Sequence, residues 1–182
     1  MVHLLRNGTF IAPFYVFIKC PESHTSGVLN ALKLSEWKLS DGPLGQSFHK
    51  DHRHFYLARS KEWLHLMDDG YYTLWNDQNF RERIPKLSRH FPIFACWVGD
   101  TEDSFGFQLF LKEKLVREYI VEDPDFNRIL TARYQGKRLS IEKRALKQKD
   151  AEDKIIAMAK GLGVNVEHNP DEIRAYFKKI GG

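Results

Sequence analysis

Short apolar runs joined by tight turns dominate the middle of this sequence, and they constrain its fold most. Residues 92–98 (PIFACWV) form a continuous apolar run, which is typical of a central strand buried on both faces. Residues 105–111 (FGFQLFL) alternate in the period of a half-buried strand. The turn at residues 112–114 (KEK) leads into another strand-like run at 115–121. This succession predicts an antiparallel sheet.

Further strands are predicted on the N-terminal side of that block. Residues 14–19 (FYVFIK) are aromatic and β-branched, and residues 54–59 and 63–67 have similar character. Asp69-Gly70 is a hairpin signal, because glycine tolerates the positive φ of a tight turn. The central block is therefore interpreted as an antiparallel meander broken by one helical segment.

Four segments have helical spacing. Ser23 and Asp77 are placed to cap the first two, and Pro85 lies inside the second. The third begins at Asp150, and the fourth begins at Asn169 with a Pro and a Glu in its first turn. Their apolar stripes are Val28, Ala31 and Leu32; Phe80, Ile84, Leu87 and Phe91; Ile155, Ala159 and Leu162; and Ile173, Tyr176, Phe177 and Ile180.

These elements predict a single α+β domain with a mainly antiparallel β-sheet, helices packed on one side, and a C-terminal helical hairpin. Residues 1–149 are assigned to the sheet domain and residues 150–182 to the hairpin, as one folding unit. The composition, 42% hydrophobic and 13% aromatic over 182 residues, suffices for a core and argues against disorder.

The sequence also indicates a cellular compartment. It has no apolar run of about 18 residues, so we expect no membrane span and no membrane partner. The apolar N-terminal stretch is interpreted as a strand, since no small-residue cleavage site follows it. Cys20 and Cys96, the two cysteines, both lie in apolar runs. We therefore predict a cytoplasmic protein.

Familiar catalytic motifs are missing from the chain. Neither GxSxG nor GxxxxGK[ST] occurs, and HExxH and CxxC are also absent. No cofactor is predicted. Catalytic residues can converge from distant positions, so this pattern favours a non-enzymatic function without settling it.

Two clusters keep a metal-dependent hydrolase open as an alternative. In SFHKDHRHF, two histidines two residues apart on an extended chain face the same side, where both imidazoles can bind Zn²⁺. In DTEDSFG, three carboxylates between two predicted strands can bind a hard cation. The competing interpretation of both is a polar loop. The residues are His49, His52 and His54 in the first cluster, and Asp100, Glu102 and Asp103 in the second.

A basic segment at residues 133–149 (RYQGKRLSIEKRALKQK) is the other candidate site. It has seven basic residues and one acidic residue, Glu142, a local net charge of +6 in a chain of net charge +4. It is predicted to contact nucleic-acid phosphates, to bind an acidic protein, or to be a solvated helix face. The candidate binding residues are Arg133, Lys137, Arg138, Lys143, Arg144 and Lys147, with Lys149 at the end.

The layout of residues 55–122 resembles that of small bacterial α+β accessory proteins, including many toxin-immunity proteins. The likeness lies in WLHLMDDGYYTLW, LSRHFPIFACWV and FGFQLFLKEKLVREYIV. It is architectural and implies no site residues. With the missing catalytic motifs, the aromatic content and the basic segment, it leads us to predict a soluble, non-enzymatic protein-binding module of the inhibitor or immunity type. Nucleic-acid binding through residues 133–149 is the alternative.

Overall fold

A nine-stranded antiparallel sheet organises the protein. The structure is a computed structural model, and it describes residues 2–3, 14–39, 52–68, 77–99, 104–122, 130–168 and 170–179. The strands are β1 Val2–His3, β2 Phe14–Lys19, β3 Lys38–Leu39, β4 His52–Ser60, β5 Trp63–Asp68, β6 Ile93–Val98, β7 Phe105–Leu111, β8 Lys114–Glu122, β9 Thr131–Gly136, β10 Glu167–His168 and β11 Arg174–Lys179. The α-helices are α1 Thr25–Ala31, α2 Gln78–Leu87, α3 Glu142–Ala145 and α4 Ala151–Gly161.

The strand order is β3-β11-β4-β5-β2-β6-β7-β8-β9, and every neighbouring pair is antiparallel. β1 and β10 form a separate two-stranded sheet. The predicted antiparallel α+β architecture is thus confirmed, including the strands at residues 14–19 and 105–111. The interpretation of the central block as a meander is wrong, because β2 lies between β5 and β6. The hairpin predicted at Asp69-Gly70 lies outside the described residues.

Both faces of the sheet are covered, so the prediction of helices on one side is wrong. We call the two sides the α4 face and the α2 face. On the α4 face, α3 and α4 cover side chains such as Phe17 and Phe94. On the α2 face, α1 and α2 cover the alternate positions, such as Val16 and Ile93. The reason is visible in β2 and β6, whose continuous apolar runs bury both sides of each strand and need cover on both.

The local signals for α2 act as predicted. The Asp77 carboxylate accepts a hydrogen bond from the backbone N–H of Phe80, 3.2 Å away, and so caps the helix. Pro85 occupies the last turn, and Ile84 faces the core. The four α-helices of the described residues have 4 to 11 residues each. No helix in the described part of the chain is long and apolar enough to cross a membrane.

The C-terminal helical hairpin is not present. Its first helix is α4, but the predicted second helix is a short 3-10 turn, Pro170–Glu172, followed by strand β11. β11 pairs with β4 along six residues, and Tyr176 stacks on Phe55 with ring centroids 4.9 Å apart. The aromatic residues that suggested a helical stripe also favour a strand, and the free edge of β4 decides between them.

Candidate interaction site

Six basic side chains surround α3 on the outside of the protein. Ala145 and Glu142 point inward from this helix, which leaves the neighbouring cations exposed. Among the described residues, the only carboxylate in ion-pair range of these cations is that of Glu142, 3.8 Å from the Arg138 Nε. We call this set the α3 basic surface: Lys137, Arg138, Lys143, Arg144, Lys147 and Lys149.

A buried ion pair fixes the position of this surface. Arg117 on β8 donates from Nε and Nη2 to the two carboxylate oxygens of Glu142, at 2.8 and 2.7 Å. Arg117 is 4% exposed and Glu142 is fully buried. The Leu139 backbone N–H also donates to Glu142, at 2.8 Å. Arg117 Nη1 donates to the carbonyls of Gln135 and Gly136, at 3.2 and 3.1 Å. The pair therefore ties β8, the end of β9 and the start of α3 together.

Arg133 lies apart from the other predicted binding residues. It is on β9 opposite Ile120, while its neighbour Tyr134 is opposite Tyr119. Tyr119 stacks on Phe107, a core residue of the α4 face, so Tyr134 lies on that face and Arg133 lies on the α2 face. Arg133 is paired there with Glu122, at 3.3 Å. The basic segment is thus divided between the two sides of the sheet.

The interpretation of residues 133–149 as a solvated helix face is wrong for the residues that belong to β9. The start of this segment is a strand, and a helix forms only at α3. Tyr134 is 71% exposed, and its ring lies 5.7 Å from the Arg117 guanidinium. Sequence reasoning did not select Tyr134 as a site residue. Its signal is the alternation of Leu130, Ala132 and Tyr134 with polar residues, which has the strand period.

The residues of the metal-site alternative are not brought together by the described structure. His49, Asp100, Glu102 and Asp103 lie outside the described residues. The backbones of His52 and His54 belong to β4, but their side chains are also outside the description. Within the parts of the chain that are described, no group of three or more His, Cys, Asp or Glu side chains is placed to hold a metal ion. The metal alternative stays a prediction.

A buried pair of histidines is a feature that the sequence did not reveal. His65 on β5 and His168 on β10 are both almost fully buried, and their Nδ1 and Nε2 atoms are 2.7 Å apart. One imidazole donates this hydrogen bond and the other accepts it. The rings of Phe17 and His65 make a T-shaped contact with their centroids 4.7 Å apart. The two histidines are 103 positions apart, so only the fold shows that they meet.

The buried histidine pair is expected to make the free energy of unfolding depend on pH. Burial lowers the pKa of His65, as do, to a lesser extent, the nearby His168 and Arg59. Burial also lowers the pKa of His168, against an opposing effect of Glu172. The folded protein therefore binds fewer protons than the unfolded chain, whose histidines titrate near pH 6.5. We expect the free energy of unfolding to fall as the pH drops below about 6.5.

Urea unfolding at about pH 7.5 and about pH 5 measures this effect. The control is the double variant His65→Leu/His168→Leu, in which neither position titrates. We expect a smaller pH dependence in the variant than in the wild type. Equal pH dependence in the two proteins would show that the pair is not linked to folding.

A cavity of about 610 Å³ opens on the α2 face beside the ends of β4 and β11. Leu57 and Leu64 are among its lining residues, together with charged side chains of both signs. The Arg59 guanidinium is fixed by donating to the Cys20 carbonyl and the Thr25 hydroxyl, each at 2.8 Å. The charged lining residues are Arg59, Arg174, Glu22, Asp171 and Glu172. Among the described residues, no histidine or cysteine lines the cavity.

The two cysteines are free and buried. Burial raises the pKa of the Cys96 thiol, which keeps it protonated and unreactive. Their predicted behaviour as small core hydrophobes agrees with their places in the two cores.

Comparison with known proteins finds no matching protein family, no similar curated protein and no similar solved structure.

Proposed function

We propose that this protein is a non-enzymatic binding protein, and that its partner is a protein with an acidic surface that contacts the α3 basic surface. One observation carries the proposal: six exposed cations lie together around α3, with no exposed carboxylate in ion-pair range among the described residues. Such a surface attracts an acidic partner and speeds its association.

The buried ion pair supports the proposal in two ways. Because Glu142 accepts from both Arg117 and the Leu139 backbone, its charge is already satisfied inside the protein. The exposed cations are therefore not needed to neutralise it. The same contacts hold α3 against β8, so the cations project from a fixed support, and a fixed surface loses less conformational entropy on binding than a mobile one.

Removing part of the surface tests the proposal. We expect the variant Lys143→Ala/Arg144→Ala/Lys147→Ala to bind the partner about 10- to 100-fold more weakly, at about 0.5–1 kcal/mol for each lost ion pair. The fold should be unchanged, because exposed charges contribute little to stability. The measurement is affinity capture from the native host, followed by titration of the captured protein against each variant.

The matched control is Lys86→Ala/Arg89→Ala/Lys114→Ala, which removes the same charge from exposed residues near the end of α2 and the β7–β8 turn. It should bind like the wild type. Equal binding by all three proteins would place the site elsewhere. Failure to capture any stoichiometric partner would count against a protein-binding function.

Nucleic acid is the second candidate, and the exposed ring of Tyr134 favours it, since bases stack on exposed aromatic side chains. Duplex and single-stranded DNA are therefore titrated against the same variants at several salt concentrations. If the α3 basic surface contacts phosphates, log affinity falls with log salt by about 0.9 for each phosphate neutralised, and the triple variant flattens this slope by about 3. No binding at low salt excludes this candidate.

A further inference from the structure

We propose that the acidic partner binds by adding an extended segment to the free edge of β9 as a tenth strand, with acidic residues of that strand beside Arg133 and further acidic residues beyond its end at the α3 basic surface. This inference rests on the proposed function and specifies its binding mode. This binding mode requires a strand edge with unpaired backbone groups and exposed side chains that favour a particular added strand. It also requires a charge that favours an acidic partner over a second copy of this protein.

β9 provides the free edge. It is the last strand in the sheet order, and all six of its residues are exposed. In an antiparallel pair, every second residue of an edge strand points its N–H and C=O groups away from its neighbour. No strand in the described part of the chain pairs with these groups, which can therefore accept another chain. The opposite edge is β3, which has only two residues and so offers a much shorter template.

The exposed side chains of β9 form an apolar stripe on the α4 face. Leu130, next to the strand, is 41% exposed, and Tyr134 is 71% exposed. They are two of the three large hydrophobic residues that are exposed in the described chain, the third being Leu39. Ala132 lies between them on the same face. An added strand with apolar residues at every second position covers this stripe and removes it from water.

The other face of β9 selects acidic residues. Arg133 is 64% exposed at the centre of the strand on the α2 face. The residues of an added strand that alternate with its apolar residues lie beside this guanidinium, which pairs with Glu122 through Nη1 and has further N–H groups that a carboxylate of the added strand can accept from. Beyond Gly136 the strand edge leads to Lys137 and Arg138 of the α3 basic surface. The segment that fits is therefore extended, alternately apolar and acidic.

Charge argues against a second copy as the added strand. Antiparallel pairing of two β9 edges would bring the two central Arg133 side chains close together, and like charges across a strand pair are destabilising. It would also join two chains that each carry a net charge of +4.

Amide hydrogen exchange with a defined probe tests the strand addition. The probe is a short blocked synthetic peptide of alternating valine and glutamate residues. We expect it to slow exchange at every second backbone amide of β9 by about tenfold or more, because only these amides point outward. A peptide of the same composition with its glutamates grouped together should bind the α3 basic surface without protecting β9.

Two matched substitutions sharpen the test. Leu130→Glu places a carboxylate in the apolar stripe, and we expect it to weaken the alternating peptide about tenfold or more while changing the grouped peptide little. Leu39→Glu makes the same change at the β3 edge, where Leu39 is 50% exposed, and should leave both affinities unaltered.

The outcomes separate the two proposals. Binding of the alternating peptide without protection of β9, or equal weakening by Leu130→Glu and Leu39→Glu, overturns the strand addition but leaves the acidic-partner function standing. Binding of neither peptide also overturns the strand addition. The captured partner and the Lys143→Ala/Arg144→Ala/Lys147→Ala variant then decide the function separately. Sedimentation showing a dimer that the neutral substitution Arg133→Ala strengthens would identify a second copy as the occupant instead.

Discussion

Replacing Glu142 by alanine is expected to lower the free energy of unfolding by about 3–5 kcal/mol, because it leaves the buried guanidinium of Arg117 without its counter-charge. The backbone N–H of Leu139 also loses its acceptor. Urea unfolding measures the change. Such a loss is a large part of the stability of a typical domain, so the variant is studied at low temperature.

The matched control is Glu122→Ala, which also removes a carboxylate from an arginine, but from the exposed pair with Arg133. Its expected cost is about 0–1 kcal/mol. The variant Arg117→Leu/Glu142→Leu removes both buried charges, and it should be more stable than Glu142→Ala. Equal losses for Glu142→Ala and Glu122→Ala would show that the buried pair does not hold this corner of the fold.

Replacing Gly136 by alanine is the second large effect, and we expect it to cost about 2–4 kcal/mol. Gly136 has φ of +83°, and a Cβ there would overlap the carbonyl oxygen of Val116. The end of β9 must then move away from β8, and the carbonyl that accepts from Arg117 moves with it. Urea unfolding and amide exchange of β9 measure the result.

Gly163 is the control that separates the cost of the positive φ from the cost of the steric overlap. Its φ is +81°, but no atom of the described residues lies within 4 Å of a Cβ placed there. Gly163→Ala should therefore cost only the strain of the left-handed conformation, about 1–2 kcal/mol. If the two substitutions cost the same, the close approach of β8 to Gly136 has no energetic consequence.

The periodicity of apolar residues correctly predicted those strands whose apolar pattern matches the faces they bury in the sheet. The alternation at residues 105–111 and the continuous runs at 14–19 and 92–98 correspond to β7, β2 and β6. The prediction of cover on one side was wrong although the run at 92–98 was already interpreted as buried on both faces. A strand of that kind requires helices on both sides of the sheet, and the two statements were inconsistent.

The error at the C-terminal helix has another cause. The capping signals at Asn169-Pro170 are local, while the partner of residues 174–179 is β4, which is distant in the sequence. A free strand edge nearby changes the preferred conformation of an ambiguous segment, and single-residue propensities do not contain that information.

The candidate site was predicted by charge but not by geometry. The cluster of lysines and arginines around Lys143 can be recognised from the sequence alone. Arg133 is separated from this cluster because its side chain lies on the α2 face of β9. That placement follows only from the register between β9 and β8. The Arg117–Glu142 pair and the His65–His168 pair join distant residues, and neither has a sequence motif.

The position of β11 has a consequence for synthesis on the ribosome. β4 lies between β5 and β11, and β11 begins more than a hundred residues after β4 ends. At about 5–20 residues per second, one edge of β4 stays unpaired for about 5 to 25 s while the rest of the chain is made. During that interval β4 presents an open hydrogen-bonding edge beside apolar residues such as Phe55 and Leu57. Arrival of β11 closes that edge, so aggregation and chaperone binding should be concentrated on nascent chains that have not yet reached residue 179.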